Sequence, residues 1–199
     1  MIFVVLAVVG AAGVLYGFYH FGKGLPEHQQ LADYVPPVVT RIHAGDGRLM
    51  AEFAREKRVF VPIEAMPRQV IKAFLSAEDK TFYTHPGIDF PGIVRAAATN
   101  LMRIGTNRRP IGASTITQQV AKNFLLTNEV SIARKAKEVI LALRIERAIS
   151  KDRILELYLN EIYLGFGSYG VAAAALNYFD KSLDELTLGE AAFLAGLPK

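Results

Sequence analysis

Cysteine is absent from all 199 residues, which excludes a disulfide framework, a thiol nucleophile and a cysteine-ligated metal. Charge is absent from the first 22, MIFVVLAVVGAAGVLYGFYHFG, where no Asp, Glu, Lys or Arg occurs. Acidic residues are scarce in the middle of the chain. Between Arg103 and Lys151 there are three (Glu129, Glu138, Glu146) against ten basic ones. From Asp152 to Lys199 the balance reverses to seven acids and three bases. The basic middle is either a solvated helix face or the footprint of an anionic partner: phosphates, a nucleic acid or a membrane surface. Internal repeats and low-complexity segments are also missing, and no GxxxxGK[ST] spacing marks a P-loop.

What is present divides into three stretches. A bilayer core takes about 20 apolar residues as a helix, so residues 1–22 fit a span. Tyr16, Tyr19 and His20 stand where an interfacial aromatic belt would lie. A basic leader and a short apolar core, the marks of a cleaved secretory signal, are not seen, so the expectation is an uncleaved transmembrane anchor. Residues 23–66 read as a juxtamembrane linker followed by a β hairpin, with Asp46-Gly47 as its turn between β-prone runs. Residues 67–199 read as helix after helix. The first is expected from Pro67 to Tyr83 and the second from an Asp89 cap to Gly105. Ser114 and Thr115 open a third that runs to about Leu126, and Ser131 opens a fourth to about Ile149. A fifth follows Ser150, a sixth covers Ala172 to Phe179, and Thr187 with Glu190 forms a capping box for the last. The fold class is therefore mainly α.

Several polar residues sit where a purely structural sequence would not put them. Glu78 shares a helical stripe with Ile71, Phe74, Leu75 and Phe82. Desolvation there disfavours the carboxylate and makes it a better proton acceptor near neutral pH, unless Arg95 or a backbone cap pairs with it. Asp79, one residue round the helix, reads as a supporting group, and His85 beside Pro86-Gly87 as a base or a helix-end cap. The stretch GASTITQQVAKNF, residues 112–124, places Ser114 and Thr115 at a helix start, with Gln118, Gln119 and Lys122 on the following turns. Such termini hold anions and sugar hydroxyls, although on these residues alone a polar capped helix is the better account. Farther on, Glu138 shares a face with Leu141 and Ile145 and has Arg134, Lys135 and Lys137 beside it. Two carboxylates on separate helices with a basic collar suit sugar-transfer chemistry.

The blocks EDKTFYTHPG, GASTITQQVAKNF, RKAKE, KDRILELYLNEIYLG and YGVAAAALNYFDK, in that order over residues 77–181, resemble the peptidoglycan glycosyltransferases of family 51. Within that family the likeness is to the N-terminal half of class A penicillin-binding proteins. The resemblance implies a lysozyme-like helical domain with a membrane-facing jaw that polymerises lipid II into β-1,4 glycan strands. Glu78 would deprotonate the acceptor 4-hydroxyl, which attacks the donor's anomeric carbon with inversion and expels undecaprenyl pyrophosphate. Arg134, Lys137 and Lys122 would neutralise that leaving group. Glu138 would assist, through a divalent cation (Mg2+ or Mn2+) if one is used; no cofactor is otherwise implied. Ser114, Thr115, Gln118 and Gln119 would line the sugar and phosphate path, with Asp79 and His85 in support.

Implied partners are lipid II, the growing strand, the bilayer and a cell-wall synthesis complex, with no nucleic acid. The implied place is the bacterial inner membrane, single-pass, with the catalytic domain on the periplasmic side. Val130 stands where many relatives carry a further basic residue, which Arg108 or Arg109 would replace. No SxxK, SxN and KTG set occurs, so a transpeptidase domain is expected outside this sequence. Two rivals stand beside this reading. One is a lysozyme-like muramidase or lytic transglycosylase, which needs no pyrophosphate collar. The other is a membrane-tethered scaffold for anionic ligands, in which Glu78 does nothing.

Overall fold

Short polar side chains decide where four of the eight helices begin. In the computed structural model, which describes every residue except 28–30, 33, 35–39, 47, 54–56, 107, 109, 110, 128, 130 and 199, the Asp89 carboxylate accepts from Gly92 N–H at 2.9 Å and caps the helix that begins at Phe90. Numbered along the chain, the helices are α1 (Ile2–Gly22), α2 (Arg68–Glu78), α3 (Phe90–Met102), α4 (Ile116–Leu125), α5 (Ile132–Ala148), α6 (Lys151–Glu161), α7 (Val171–Phe179) and α8 (Leu188–Ala195). Thr115 and Thr187 each close a reciprocal capping box, with Gln118 on α4 and Glu190 on α8, and Ser131 accepts from Arg134 N–H at 3.0 Å. The expected helix starts at Asp89, Thr115, Ser131 and Thr187 are thus present.

Among the described residues strand is confined to two small sheets. β1 (Thr40–His43) pairs antiparallel with β2 (Leu49–Phe53), and Asp46 in the connecting turn accepts from the backbone and guanidinium of Arg48. That is the hairpin expected around Asp46. The other pair, β3 (Lys57–Arg58) parallel to β4 (Ser168–Tyr169), carries no sequence signal because each strand is only two residues long.

The chain forms two compact units. One consists of Met1–Ala32 with Thr84–Ser150, the other of Asp33–Tyr83 with Lys151–Lys199. In the first, α4 packs on α5 and α1 packs on α5. Ile116 and Val120 on α4 and Leu141 and Ile145 on α5 are fully buried. Fully burying a side chain of this size contributes about 1.5–3 kcal/mol. Gly87 has φ +93, and a Cβ there would lie 3.0 Å from the Ala142 carbonyl oxygen. Only glycine allows that close approach of the 87 turn to α5.

In the second unit α2 packs on α8, and α6 is buried on every side from Ile154 to Asn160. Two of its interior polar side chains, Asn160 and Glu156, tie down the segment ahead of α2. Asn160 exchanges hydrogen bonds with both backbone groups of Val61 at 2.9 Å, and Glu156 accepts from Ile63 N–H at 2.8 Å while paired with Arg153. Buried polar groups are tolerated because they are satisfied in this way.

α1 is continuous over the uncharged N-terminal stretch, but many of its side chains lie outside the described residues. Among the described residues no helix is long and apolar enough to cross a membrane. The helix expected over 1–22 is therefore present, while the span is not established by the structure. Val130, and Arg109 offered as its substitute, lie outside the described residues.

Candidate functional site

α2 is shorter than its periodicity predicts. It stops at Glu78, not Tyr83, because Asp79 leaves helical geometry (φ −156, ψ 80) after its N–H has closed the last turn on Leu75 O at 3.0 Å. Glu78 thereby stands at the helix end, half-buried, on the same stripe as fully buried Phe74 and Phe82. The more deeply buried carboxylate is its neighbour Asp79, 6% exposed. Both acids act on a residue that the sequence reading missed. Burial first, then the charges of Glu78 and Asp79, push the Tyr158 phenol far above its ordinary value. Its ring packs edge-to-face on Phe74 with centroids 6.4 Å apart, and its hydroxyl is buried without a hydrogen-bond partner among the described residues. The one signal for Tyr158 was a lone hydroxyl inside the apolar run ILELYL.

The other expected residues gather in the first unit. Glu138, 3% exposed on α5, is the centre of a charge cluster. Arg134 donates to one of its carboxylate oxygens and Lys135 Nζ to the other, at 2.8 Å. Lys135 also donates to Ser114 Oγ at 2.8 Å, which ties the approach to α4 onto α5. Nε of Arg134 is buried without a partner among the described residues. Lys137 is not a partner of Glu138, contrary to the expectation that three cations surround that acid. Three residues along a helix, the Lys135 side chain reaches the same face, whereas that of a neighbouring residue does not. Lys122 and Lys137 are half-buried and form no ion pair among the described residues.

Other assignments change once the hydrogen bonds are in view. Thr115 donates its hydroxyl to Gly87 O at 2.6 Å, and Gln118 Oε1 accepts from Thr115 N–H at 3.0 Å. Both side chains are buried, so they cap α4 and fix the 87 turn rather than line an open path. Gln119 is buried as well. His85 is 8% exposed, and its Nδ1 accepts from Gly87 N–H at 3.1 Å, which makes it a turn-forming group. Arg95, the suggested structural partner of Glu78, lies 3.7 Å from Asp89 instead.

A divalent cation at Glu138 does not fit the donor set. Both of its oxygens face cationic side chains, and among the described residues no group of three or more His, Asp or Glu could hold a metal. What the cluster can do is present positive charge, from half-buried Arg134, Lys122 and Lys137 and the more exposed Lys135, on two packed helices. Glu78 and Asp79 offer carboxylates in the other unit.

Comparison with known proteins adds the following. A family model described as Transglycosylase matches residues 46–199. The chain is similar to penicillin-binding protein 1A of Rickettsia prowazekii, 59% identical over 198 residues that cover all of this chain and 25% of that protein. It is 46% identical to penicillin-binding protein 1A of Escherichia coli, over all of this chain and 23% of that one. The chain thus spans about a quarter of the length of these curated relatives. Among solved structures, penicillin-binding protein 1A of Haemophilus influenzae aligns over 83% of this chain and 14% of its own. That alignment has 28% identity and a TM-score of 0.37, too low to support an argument about the fold.

Proposed function

Because the chain belongs to the transglycosylase family, matched over residues 46–199, we propose that it is the peptidoglycan glycosyltransferase portion of a longer protein and polymerises lipid II into β-1,4 glycan strands. The observation that carries this reading is the cation set on α4 and α5. Lys122, Arg134, Lys135 and Lys137 outnumber the one carboxylate among them, and two of the four have no counter-ion among the described residues. A departing pyrophosphate needs such a set, because fixed positive charge stabilises it as the glycosidic bond forms. A glycan-cleaving enzyme would gain nothing from it.

In this reading Glu78 takes the proton of the acceptor 4-hydroxyl as that oxygen attacks the anomeric carbon with inversion, and undecaprenyl pyrophosphate leaves. Phe74 and Phe82, both fully buried on the same stripe, give that side of the site an apolar wall. Glu138 holds Arg134 and Lys135 in place until the leaving group arrives. The sugar path runs past Ser114, whose hydroxyl Lys135 orients.

Membrane attachment belongs to the same proposal. α1 carries no charged residue, its Tyr16 and His20 rings stack at 5.8 Å, and Lys23 lies 4.0 Å over the Tyr19 ring, an arrangement suited to a membrane interface. On α3 only Gly92 and Ala96 are buried, while Phe90, Val94, Leu101 and Met102 are at least 62% exposed. That face would lie against lipid. The domain would act on the periplasmic side of the bacterial inner membrane, within a lysozyme-like glycosyltransferase fold. The part that binds penicillin in the relatives would be a transpeptidase domain in the three-quarters of their length not covered here.

The test is polymerisation of labelled lipid II in detergent by the chain and by Glu78→Gln. Loss of a general base costs about 100- to 10,000-fold in rate, so strands from the parent and almost none from the folded variant are expected. Equal polymerisation by both would assign Glu78 a structural role.

A further inference from the structure

Between α6 and α7 the segment LGFGSYG departs from ordinary backbone geometry three residues running. Gly165, Phe166 and Gly167 have φ of +92, +47 and +71. Glycine adopts such values freely, but a bulky side chain at Phe166 does so only at a cost, and such strain persists only where the surroundings enforce it. They do so here. Leu164 N–H donates to Ser168 O at 3.0 Å and Ser168 N–H to Gly165 O at 2.8 Å. From α7, Asn177 Nδ2 donates to Phe166 O at 3.2 Å and to Ser168 Oγ at 3.0 Å, and the Tyr178 hydroxyl donates to Leu164 O at 2.7 Å. At the base, Tyr163 and Tyr169 pair with ring centroids 5.0 Å apart.

What this scaffold delivers is a ring in solvent. Phe166 is 82% exposed, and its only ring neighbour among the described residues is Tyr178, edge-to-face at 5.7 Å. Tyr178 is also edge-to-face with Phe193 at 5.9 Å, and Phe193 is 51% exposed. Leu176, on the helix that carries Tyr178, is 47% exposed. The result is a rigid apolar strip of two presented rings on a common support. A strained, over-determined loop that presents an apolar ring to water is costly unless the ring meets something.

We infer that Phe166, with Phe193 beside it across Tyr178, is a stacking platform for uncharged pyranose rings of a β-1,4-linked glycan strand. The inference rests on the glycosyltransferase reading for the identity of the glycan. The surroundings favour a neutral ligand. Asp180, Asp184 and Glu185 are exposed nearby in the sequence, in a stretch where acids outnumber bases seven to three, so an anionic bilayer or a phosphate would be repelled. Apolar ring faces match the C–H faces of a sugar, and an aromatic side chain supplies that contact with few rotatable bonds. The platform would hold sugars of the strand away from the reacting bond and slow its escape between additions.

The chain contains no tryptophan, so Phe166→Trp introduces a single fluorophore at the strip. The probe is a soluble tetrasaccharide of β-1,4-linked N-acetylglucosamine. Saturable change of F166W emission on adding the tetrasaccharide is expected. Calorimetry should show the parent and F166W binding alike and F166A binding about tenfold more weakly, the scale of a lost aromatic contact. Because the ring is exposed, F166A should melt within about 3 °C of the parent. Emission that ignores the sugar, or that responds only to anionic vesicles, would overturn the inference. So would equal sugar affinity of F166A and parent. Lipid II polymerisation by the parent is scored separately. Polymerisation without sugar binding at the strip sinks the platform and leaves the glycosyltransferase reading standing, and sugar binding without polymerisation does the reverse.

Discussion

At position 158 a phenol is buried beside two carboxylates with no partner for its hydroxyl among the described residues. Removing a buried, unbonded polar group is neutral or favourable, so Tyr158→Phe should stabilise the chain by about 1 kcal/mol, read from urea unfolding at neutral pH. The pH dependence has a definite sign. Burial, with help from Glu78 and Asp79, raises the phenol above its ordinary 10.0. Below pH 10.0 both folded and unfolded chains keep the proton and stability does not depend on it. Above that, the unfolded chain releases the proton and the folded one does not, so stability falls as pH rises. Tyr158→Phe should flatten that alkaline decline, and an unchanged slope in melting temperature against pH would count against the assignment.

The same residue marks how far the site could be read in advance. Glu78 and Glu138 are legible as candidates because an acid on an apolar stripe is visible in one dimension. Tyr158 is not, because its relation to Glu78 arises between two helices some 80 positions apart in the chain. The polarity of Thr115 and Gln118 in the sequence points both to a ligand path and to a cap. Their hydrogen bonds are spent on the α4 cap and on Gly87.

Among the elements, helix starts were well forecast, because capping is a local matter of one side chain and the next three residues. Ends were less so. α2 terminates five residues early, where Asp79 turns out of the helix well before Pro86-Gly87. The β3–β4 pair could not be forecast, since its partners are more than 100 residues apart and each offers two residues. What holds that pair beside α6 is close backbone packing. Gly170 has φ +82, and a Cβ there would lie 2.5 Å from Asn160 O. Gly170→Ala should therefore cost about 3 kcal/mol or more by chemical denaturation, combining positive-φ strain with a clash against backbone. Replacing Gly189, with nothing within 4 Å of its Cβ position, should cost far less and serves as the control.

Across the whole molecule, charge divides along the chain: the basic middle carries the Lys122, Arg134, Lys135 and Lys137 cluster, and the acidic stretch 152–199 lies within the second unit. Acid should act unevenly on it. Lys181, Thr187 and its backbone N–H hold the Glu190 carboxyl down from 4.5 to about 2, and Ser182 lowers that of Glu185. A depressed carboxylate contributes stability above its unfolded value that disappears as pH falls through the folded one. Glu190→Gln should remove a small, salt-sensitive part of the stability lost between pH 4.5 and about 2, followed by thermal melts at low and high ionic strength. Equal pH slopes for parent and variant would exclude Glu190 as a contributor. The cap of α4 is built on the same plan with an amide in place of the acid, Gln118 for Glu190. An amide does not titrate. Between pH 4.5 and about 2 the cap of α8 should accordingly weaken, while the start of α4, and with it the bearing of Lys122, stays put.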